Sequence, residues 1–357
     1  MKHTITFSAM SHTGNVRENN EDNLFCMGKI IEPQAGRSVF HSDDDAKHSI
    51  FRSEDNDADN LTHLIRTNNA IFTLSDETVL PCIFAVCDGM GGHEDGEFAS
   101  YTVAKGITEL EATLKNIPES ISSKTPSAPH SNKAVNKNNP DTTIPPKNSN
   151  KIDSLVIDSL VQEYITKAND TICAKMREKS VRMGTTIALV VLAGNEVKLY
   201  GIGDSRIYEL SNDKLIQVSN DHTMAEQKVS MGIITKEQAR HDRDRNKLTR
   251  YLGIFEDEMI IEAEPFQSLD MTEVRRILIC TDGLTDMVTD EKIEEILKTT
   301  PIHDAARMLV EEAIECGGKD NVTCIVIDIA PQPATSKKKQ PGKFAQLLSR
   351  IANIGSK

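Results

Sequence analysis

The segment "IFAVCDGMGGHEDGE", residues 83–97, places a carboxylate where it could do chemistry. Five residues with strand character lead into Asp88, and three of the next four residues are glycine. Asp-Gly is also common in tight turns, so an ordinary turn after a strand is the simpler explanation of the segment when it is taken alone. Carboxylates elsewhere in the chain decide between a turn and a functional site.

The same arrangement recurs at other predicted strand ends. Asp204 follows a strand-like run in "YGIGDSR", Asp282 follows one in "ILICTDGLTD", and Asp320 precedes the last run in "GGKDNVTCIVIDI". The pair Glu21 and Asp22 stands just before "NLFCM". Carboxylates that converge repel one another, so they need protons or bound cations. Oxygen ligands without a histidine or cysteine cluster indicate Mg²⁺ or Mn²⁺.

Composition narrows the classes of protein that this chain can be. With 41 basic and 54 acidic residues the net charge is −13, which argues against nucleic acid as a partner. The longest apolar run, 187–193, is too short to span a bilayer, and "MKHTITFSAM" lacks the apolar core of a signal peptide. We therefore expect a cytoplasmic protein. Seven cysteines without a Cys-x-x-Cys pair predict reduced thiols, with neither zinc nor disulfides.

Two insertions interrupt the predicted domain, which covers residues 1–330. Residues 29–80 form an acidic loop in this prediction. Residues 115–151 contain six prolines and seven asparagines but no aromatic residue, so we expect a disordered loop there. About 240 residues remain outside these low-complexity parts, enough for one large domain or two small ones.

The segment 331–357 has a different composition from the domain. Its last 22 residues hold six basic and no acidic side chains. Helical spacing relates Phe344, Leu347, Leu348, Ile351 and Ile354, which predicts a basic amphipathic helix that contacts an anionic membrane or an acidic partner. A disordered solubilising tail is the alternative.

Hydrophobic periodicity divides the rest of the domain into strands and helices. The predicted strands are 3–8, 24–28, 82–87, 185–193, 196–202, 206–210, 214–218, 259–264, 276–281 and 323–329. The predicted helices are 96–114, 153–178, 223–231, 235–240, 290–298 and 302–316. Strands come in consecutive runs with helices interposed in pairs, which favours an α+β sandwich of sheets with helices outside over a doubly wound parallel sheet.

Seven motifs in order now resemble one family, the metal-dependent Ser/Thr protein phosphatases of type 2C in their bacterial branch. They are "RENNEDNLF" (17–25), "VCDGMGGHEDGEFAS" (86–100), "RMGTTIALVVL" (182–192), "YGIGDSRIYEL" (200–210), the segment 219–253, "ILICTDGLTDMV" (277–288) and "GGKDNVTCIVI" (317–327). The resemblance spans roughly residues 5–330 apart from the insertions. It implies a four-layer αββα sandwich, with two mostly antiparallel sheets between helices and a flap at 222–250.

The resemblance also implies roles for single residues. Asp88 matches the aspartate that bridges two Mn²⁺ or Mg²⁺ ions, and Gly89 lends its carbonyl. Asp282 and Asp320 match the remaining ligands of the first ion, and Asp204 matches a ligand of a weaker third ion.

Three further residues complete the site that the resemblance implies. Glu21 and Asp22 match the acidic pair that holds metal-bound waters. Arg17 matches the arginine that grips the substrate phosphate, a task that suits its planar guanidinium.

The implied reaction is the hydrolysis of phosphoserine and phosphothreonine in proteins by a metal-activated water, without a phosphoenzyme. The partners it implies are phosphoproteins, a bacterial Ser/Thr kinase and that kinase's targets, and we expect a monomer. The chain departs from animal relatives in one position, where Met90 replaces a histidine proposed as the general acid. His93 is close by, but it is equally explained as a residue at the start of a helix.

Two other functions compete with this one. A phosphatase-like binding module that is catalytically silent should have lost its metal ligands, yet Asp88, Asp282 and Asp320 are present. A hydrolase that phosphorylates its own aspartate needs a second acid two residues away, and "LICTDG" has Cys280 there. Trapping with beryllium fluoride would separate covalent from direct hydrolysis.

Overall fold

The computed structural model describes residues 3–31, 81–91, 94–117, 154–266 and 268–331. The strands are β1 (His3–His12), β2 (Asn23–Cys26), β3 (Lys29–Ile30), β4 (Cys82–Cys87), β5 (Gly89–Gly91), β6 (Met183–Thr185), β7 (Ile187–Ala193), β8 (Glu196–Ile202), β9 (Arg206–Ser211), β10 (Lys214–Gln217), β11 (Glu264–Pro265), β12 (Leu269–Asp270), β13 (Arg276–Cys280) and β14 (Val322–Pro331). The helices are α1 (Glu94–Lys115), α2 (Ser154–Lys179), α3 (Met224–Ser230), α4 (Lys236–Ala239), α5 (Asp282–Thr285), α6 (Asp290–Thr299) and α7 (Ile302–Glu315).

Two antiparallel sheets form the centre of the fold. The first has the strand order β1-β14-β13-β9-β10, and the second has the order β11-β8-β7-β4-β2-β3 with β12 also paired to β8. Strand β14 lies between β1 and β13, and its pairing with β1 runs from His3–Pro331 to His12–Val322. Strands β5 and β6 form a separate pair.

Three hydrophobic clusters separate four layers. Alternation along β4 sends Phe84 and Val86 into the cluster between the two sheets, and Ile83 and Ala85 into the cluster beneath α1 and α2. A third cluster packs helices α6 and α7 on the other side of the first sheet, where Leu309 lies among buried residues of β13 and β14. The predicted αββα sandwich is therefore confirmed.

The structure corrects the bounds of the predicted insertions. Lys29 and Ile30 pair with β2 and so belong to the sheet rather than to the acidic loop. Helix α1 continues through Lys115, and Ile117 packs against the core. Strand β14 extends to Pro331, so the tail begins one residue later than predicted. The rest of both insertions and of the tail lies outside the described residues.

One predicted strand, 259–264, is wrong. Only Glu264 and Pro265 pair, with β8, while the preceding backbone bonds to a side chain of α2. Gln162 donates to the Ile261 carbonyl at 3.2 Å and accepts from the Ala263 N–H at 2.8 Å. The short elements α5, β5, β6 and β12 did not appear in the prediction, because runs of two to four residues carry no readable period.

The two ends of the segment 222–250, here called the flap, pair with each other, and we call this pair of ends the neck. Thr223 and Leu248 form an isolated bridge, and α3 and α4 lie between them in the chain. The neck joins the sheet through the His222 N–H, which donates to the Gly203 carbonyl at 2.9 Å. The flap is therefore anchored next to Asp204.

None of the helices within the described part of the chain is both long and apolar enough to cross a bilayer. All seven cysteines are free thiols; six are buried, and Cys316 is exposed.

Candidate metal centre

The predicted site residues meet at one end of the sandwich. They are Glu21 and Asp22 before β2, Asp88 after β4, Asp204 after β8, Asp282 after β13 and Asp320 before β14. Antiparallel register produces this convergence, because the start of one strand lies beside the end of its neighbour. Asn23 is the partner of Cys87 in the second sheet, and Cys280 is the partner of Cys324 in the first.

Asp22 joins the two sheets. Its buried Oδ2 accepts from the hydroxyls of Thr323 at 2.7 Å and Thr281 at 2.9 Å. Thr323 lies in β14, and Thr281 directly follows β13 of the same, opposite sheet. Thr281 in turn accepts from the Thr323 N–H at 3.0 Å. The sequence analysis did not identify these threonines, since threonine is common in strands and gives no separate signal.

Backbone contacts hold the loop before β2, and they are so close that position 89 has to be glycine. The Gly89 N–H donates to the Glu21 carbonyl at 3.2 Å. A Cβ at position 89 would lie 2.3 Å from the Gly96 carbonyl oxygen and 2.5 Å from that of Glu21. Glu21 also donates its N–H to Oδ1 of Asn321 at 2.8 Å. Gly89 thus lets three segments approach one another, whatever its carbonyl binds.

Asp88 lies at the bottom of this convergence. Its N–H donates to the Thr186 hydroxyl at 3.0 Å, and that hydroxyl pairs with Ser205 at 2.6 Å. The side chains of Asp88 and Asp282 lie close to each other, and each affects the pKa of the other. Neither Thr186 nor Ser205 was among the predicted site residues.

Burial and like charge together raise the pKa values of these carboxyl groups. Burial is the larger cause for Asp88, whose pKa rises well above its usual value, followed by the charges of Asp22, Asp282 and Asp204. Burial also raises the pKa of Glu21 to about 7, partly offset by the nearby Arg17. These carboxyl groups therefore favour any bound cation that could replace their protons.

Two arginines lie near the carboxylates. Arg17 donates to Oδ2 of Asp320 at 2.7 Å, and its side chain is 54% exposed at the rim of the site. Arg206, which was not predicted, is mostly buried and binds Asp221 through both its Nε and its Nη2. Its charge lowers the pKa of Asp204 against the larger effect of burial. Arg17 is thus the arginine that an incoming anion can reach.

The donor set fits a hard divalent cation, although the side chains do not form a ready cage. Within the described ranges, no group of three His, Cys, Asp or Glu side chains stands in positions to hold a metal ion. Asp88 and Asp282 instead lie next to each other, and Arg17 donates to Asp320. Two buried oxygens, Asp22 Oδ1 and Asp282 Oδ1, are reached by no described hydrogen-bond donor. Buried carboxylate oxygens without a donor are the groups that a bound cation would satisfy, so the chemistry of these residues suits a divalent cation.

Met90 lies in β5, paired with Gly184, and is partly exposed. His93 falls outside the described residues.

A groove of about 930 Å³ opens between α1 and α2, lined by Phe98, Tyr101 and Tyr164 among others. The residues that line it do not include the predicted ligands, so the groove and the carboxylate site are separate features.

Comparison with known proteins gives a consistent family. A model of the family Protein phosphatase 2C matches residues 70–313. The serine/threonine protein phosphatase PstP of Mycobacterium tuberculosis is 32% identical over 271 residues, which cover 74% of this chain and 43% of PstP. The chain thus spans less than half of that relative's length. The serine/threonine phosphatase stp of Listeria innocua is 28% identical over 290 residues, or 79% of this chain and 95% of stp.

Solved structures share the fold. The crystal structure of Mycobacterium tuberculosis PstP/Ppp aligns with a TM-score of 0.59 at 26% identity, over 92% of this chain and all of that one. The PstP catalytic domain in complex with two manganese ions aligns with a TM-score of 0.58 at 24% identity, again over 92% of this chain and 100% of that one.

Proposed function

Because the chain belongs to the protein phosphatase 2C family, we propose that it hydrolyses phosphoserine and phosphothreonine in proteins with the help of divalent cations. The observation that carries this proposal is the convergence of six predicted carboxylates at one end of the sandwich, with Arg17 at the rim. The names of the relatives as Ser/Thr protein phosphatases support the same activity.

The residues that would hold the cations are those at the strand ends. We assign Asp88, the Gly89 carbonyl, Asp282 and Asp320 to the binding of these cations, and Asp204 to a further cation that would be held more weakly. The manganese in the PstP structure supports Mn²⁺, and Mg²⁺ has the same preference for oxygen ligands. When bound, a pair of such ions lowers the pKa of water and offsets charge on phosphoryl oxygens.

Other side chains of this chain prepare the site. The hydroxyls of Thr281 and Thr323 fix Asp22, and the Asn321 side chain holds the backbone of Glu21, so both acids stay in place to orient water.

The substrate meets Arg17 at the rim. Arg17 is exposed enough to exchange its contact with Asp320 for a substrate phosphate, which its planar guanidinium can bind at two oxygens. Met90 has no proton to donate, so the leaving alkoxide takes its proton from water or from another group.

We further propose the cellular setting that the family resemblance suggests. The substrates would be phosphoproteins made by a bacterial Ser/Thr kinase, and the enzyme would act as a cytoplasmic monomer that reverses that kinase's signalling. A basic tail that contacts a membrane or an acidic partner also stays a prediction, since residues 332–357 lie outside the described part of the chain.

The test is the cation dependence of the purified chain. It should hydrolyse a phosphothreonine peptide only with added Mn²⁺ or Mg²⁺, and a chelator should abolish activity until the cation is restored. Full activity in the presence of chelator, or trapping by beryllium fluoride at an aspartate, would overturn the proposal.

A further inference from the structure

The flap carries the opposite charge from the protein as a whole. Residues 236–250 contain six basic and three acidic side chains, in a chain whose net charge is −13. A surface of this acidic chain that was merely solvated would be expected to be acidic, whereas this segment beside the carboxylates is basic. The concentration of basic residues in the flap therefore suggests a specific role.

Ion pairs inside the flap leave its cations on the outside. Asp244 accepts a hydrogen bond from Lys228 at 2.7 Å and forms an ion pair with Lys247 at 2.6 Å, and Arg243 lies 3.8 Å from it. The side chain of Asp244 is only 10% exposed, whereas those of Lys247 and Arg243 are 66% and 90% exposed. Lys228 also holds Asp242, at 2.7 Å. Asp242 and Asp244 thus face inward, whereas Arg243 and Lys247 are exposed on the outer surface of the flap.

This surface lies beside the candidate metal centre. Arg245 and Asn246 both reach Oδ2 of Asp286, at 3.3 and 3.2 Å. The Asp286 N–H donates to the carbonyl of Asp282, a predicted ligand, at 2.8 Å. The neck of the flap also contacts Gly203, next to Asp204. Arg245 is therefore one short helix away from the carboxylates.

The contact between Arg245 and Asp286 is long and single. It uses one of five N–H donors, and the Arg245 side chain is 45% exposed. Such a guanidinium can bind a second carboxylate at little cost, because it is neither buried nor held in a fork. We call Arg243, Arg245 and Lys247 the basic edge.

We propose that the basic edge binds acidic residues that flank the phosphorylated side chain, so that this chain prefers phosphopeptides containing Asp or Glu near the phosphate. The inference rests on the proposed function. A substrate with flanking acids would otherwise approach a site rich in carboxylates without compensation, and charge complementarity outside the reacting centre sets encounter and choice of partner.

The test uses three phosphothreonine peptides that share a core and differ only in flanking Asp, Ala or Lys residues. The full chain with Mn²⁺ is assayed for kcat/KM on each peptide at low and at high salt. Binding of the same peptides, labelled with fluorescein, is followed by anisotropy, which requires no turnover. A small aryl phosphate reports whether the chain hydrolyses phosphate esters at all.

We expect kcat/KM to be about fivefold or more higher for the Asp peptide than for the Lys peptide at low salt, with the difference shrinking at high salt. Arg243→Glu combined with Arg245→Glu should invert this order, chiefly through KM. Arg275→Glu is the matched control, because Arg275 is also exposed and also contacts one carboxylate, Asp213, at 3.3 Å. It should leave the ratio between the peptides unchanged.

The readout is a ratio between peptides, so a loss of folding or of cations, which lowers every rate, does not imitate it. Equal kcat/KM and equal binding of the three peptides to the unaltered chain would overturn the inference. So would a change of the ratio by Arg275→Glu as large as that by the flap variant. Failure to hydrolyse the aryl phosphate would overturn the proposed function instead, and the anisotropy measurement would still decide the preference for acidic peptides.

Discussion

Asp88 lies where the neighbouring carboxylates combine their effects: the charges of Asp22, Asp282 and Asp204 all raise its pKa. Asp88→Asn keeps the shape of the side chain but removes the charge that two cations would share. We expect turnover of a phosphothreonine peptide to fall roughly a thousandfold or more. Calorimetric titration with Mn²⁺ measures the accompanying loss of affinity. Near-normal activity of this variant without added cation would contradict the assignment.

Thr281 allows a test of the positioning of Asp22. Thr281→Val preserves the volume but removes a hydroxyl that donates to a fully buried carboxylate. We expect the free energy of unfolding to fall by about 1–3 kcal/mol, measured in urea. Thr272→Val is the matched control, because Thr272 donates to Asp270 at 2.7 Å on the exposed surface. An equal loss in the two variants would mean that burial of Asp22 does not matter.

The sequence predicted which carboxylates lie together at the strand ends, but not the groups that hold them. Asp88 and Asp282 could be predicted because each follows an apolar run and precedes glycine. Thr323 and Thr281 could not, since their partner Asp22 lies 301 and 259 positions away in the chain. A hydroxyl's partner depends on which strands meet, and that follows from the packing of the two sheets rather than from local spacing.

At the scale of elements, long periodic segments could be predicted and short irregular ones could not. The prediction for β4 coincides with the structure, and α1 and α2 differ from it by one or two residues at each end. The apolar run at 259–264 was assigned to a strand, but α2 supplies Gln162, whose amide satisfies the backbone there. The sequence does not show which group bonds to the backbone of an extended segment. A side chain can satisfy the backbone N–H and C=O groups as well as a neighbouring strand does.

An ion pair joins helix α2 to the second sheet, and its two side chains differ in how far they are buried. Lys198 donates to Asp158 and to the Ser154 carbonyl, and its side chain is 4% exposed against 31% for Asp158. Asp158→Asn leaves the lysine buried without a counter-charge, so we expect a loss of about 3 kcal/mol. Lys198→Met leaves an aspartate that can reach water, and we expect a loss below about 1.5 kcal/mol. Urea unfolding of both variants decides; a larger loss for Lys198→Met would refute this account.

At the scale of the whole molecule, the second insertion begins at a point of the fold that is far from the carboxylates. Glu111, near the end of α1, accepts from the N–H of Ile83 at the start of β4, whereas Asp88 follows the other end of that strand. A strand of six residues spans about 20 Å.

Replacing residues 118–148 with a short Gly/Ser linker should therefore leave turnover of a small aryl phosphate within about tenfold. The melting temperature of the variant serves as the control for folding. A greater loss of turnover in a folded variant would mean that the insertion contributes to the site.

The position of β14 has a consequence for how the protein is made. Ser11 and Thr323, bonded side by side on β1 and β14, are 312 positions apart in the chain. β14 is the strand that pairs with β1 in its sheet, so on the ribosome β1 has no strand partner until nearly all of the domain has been synthesised. Asp320 joins the other acids at the same late moment. Long-range pairing of this kind slows folding and exposes strand edges to aggregation. The group of carboxylates is therefore complete only when the last strand is in place, and we expect the yield in the cell to depend on chaperones that protect β1 during translation.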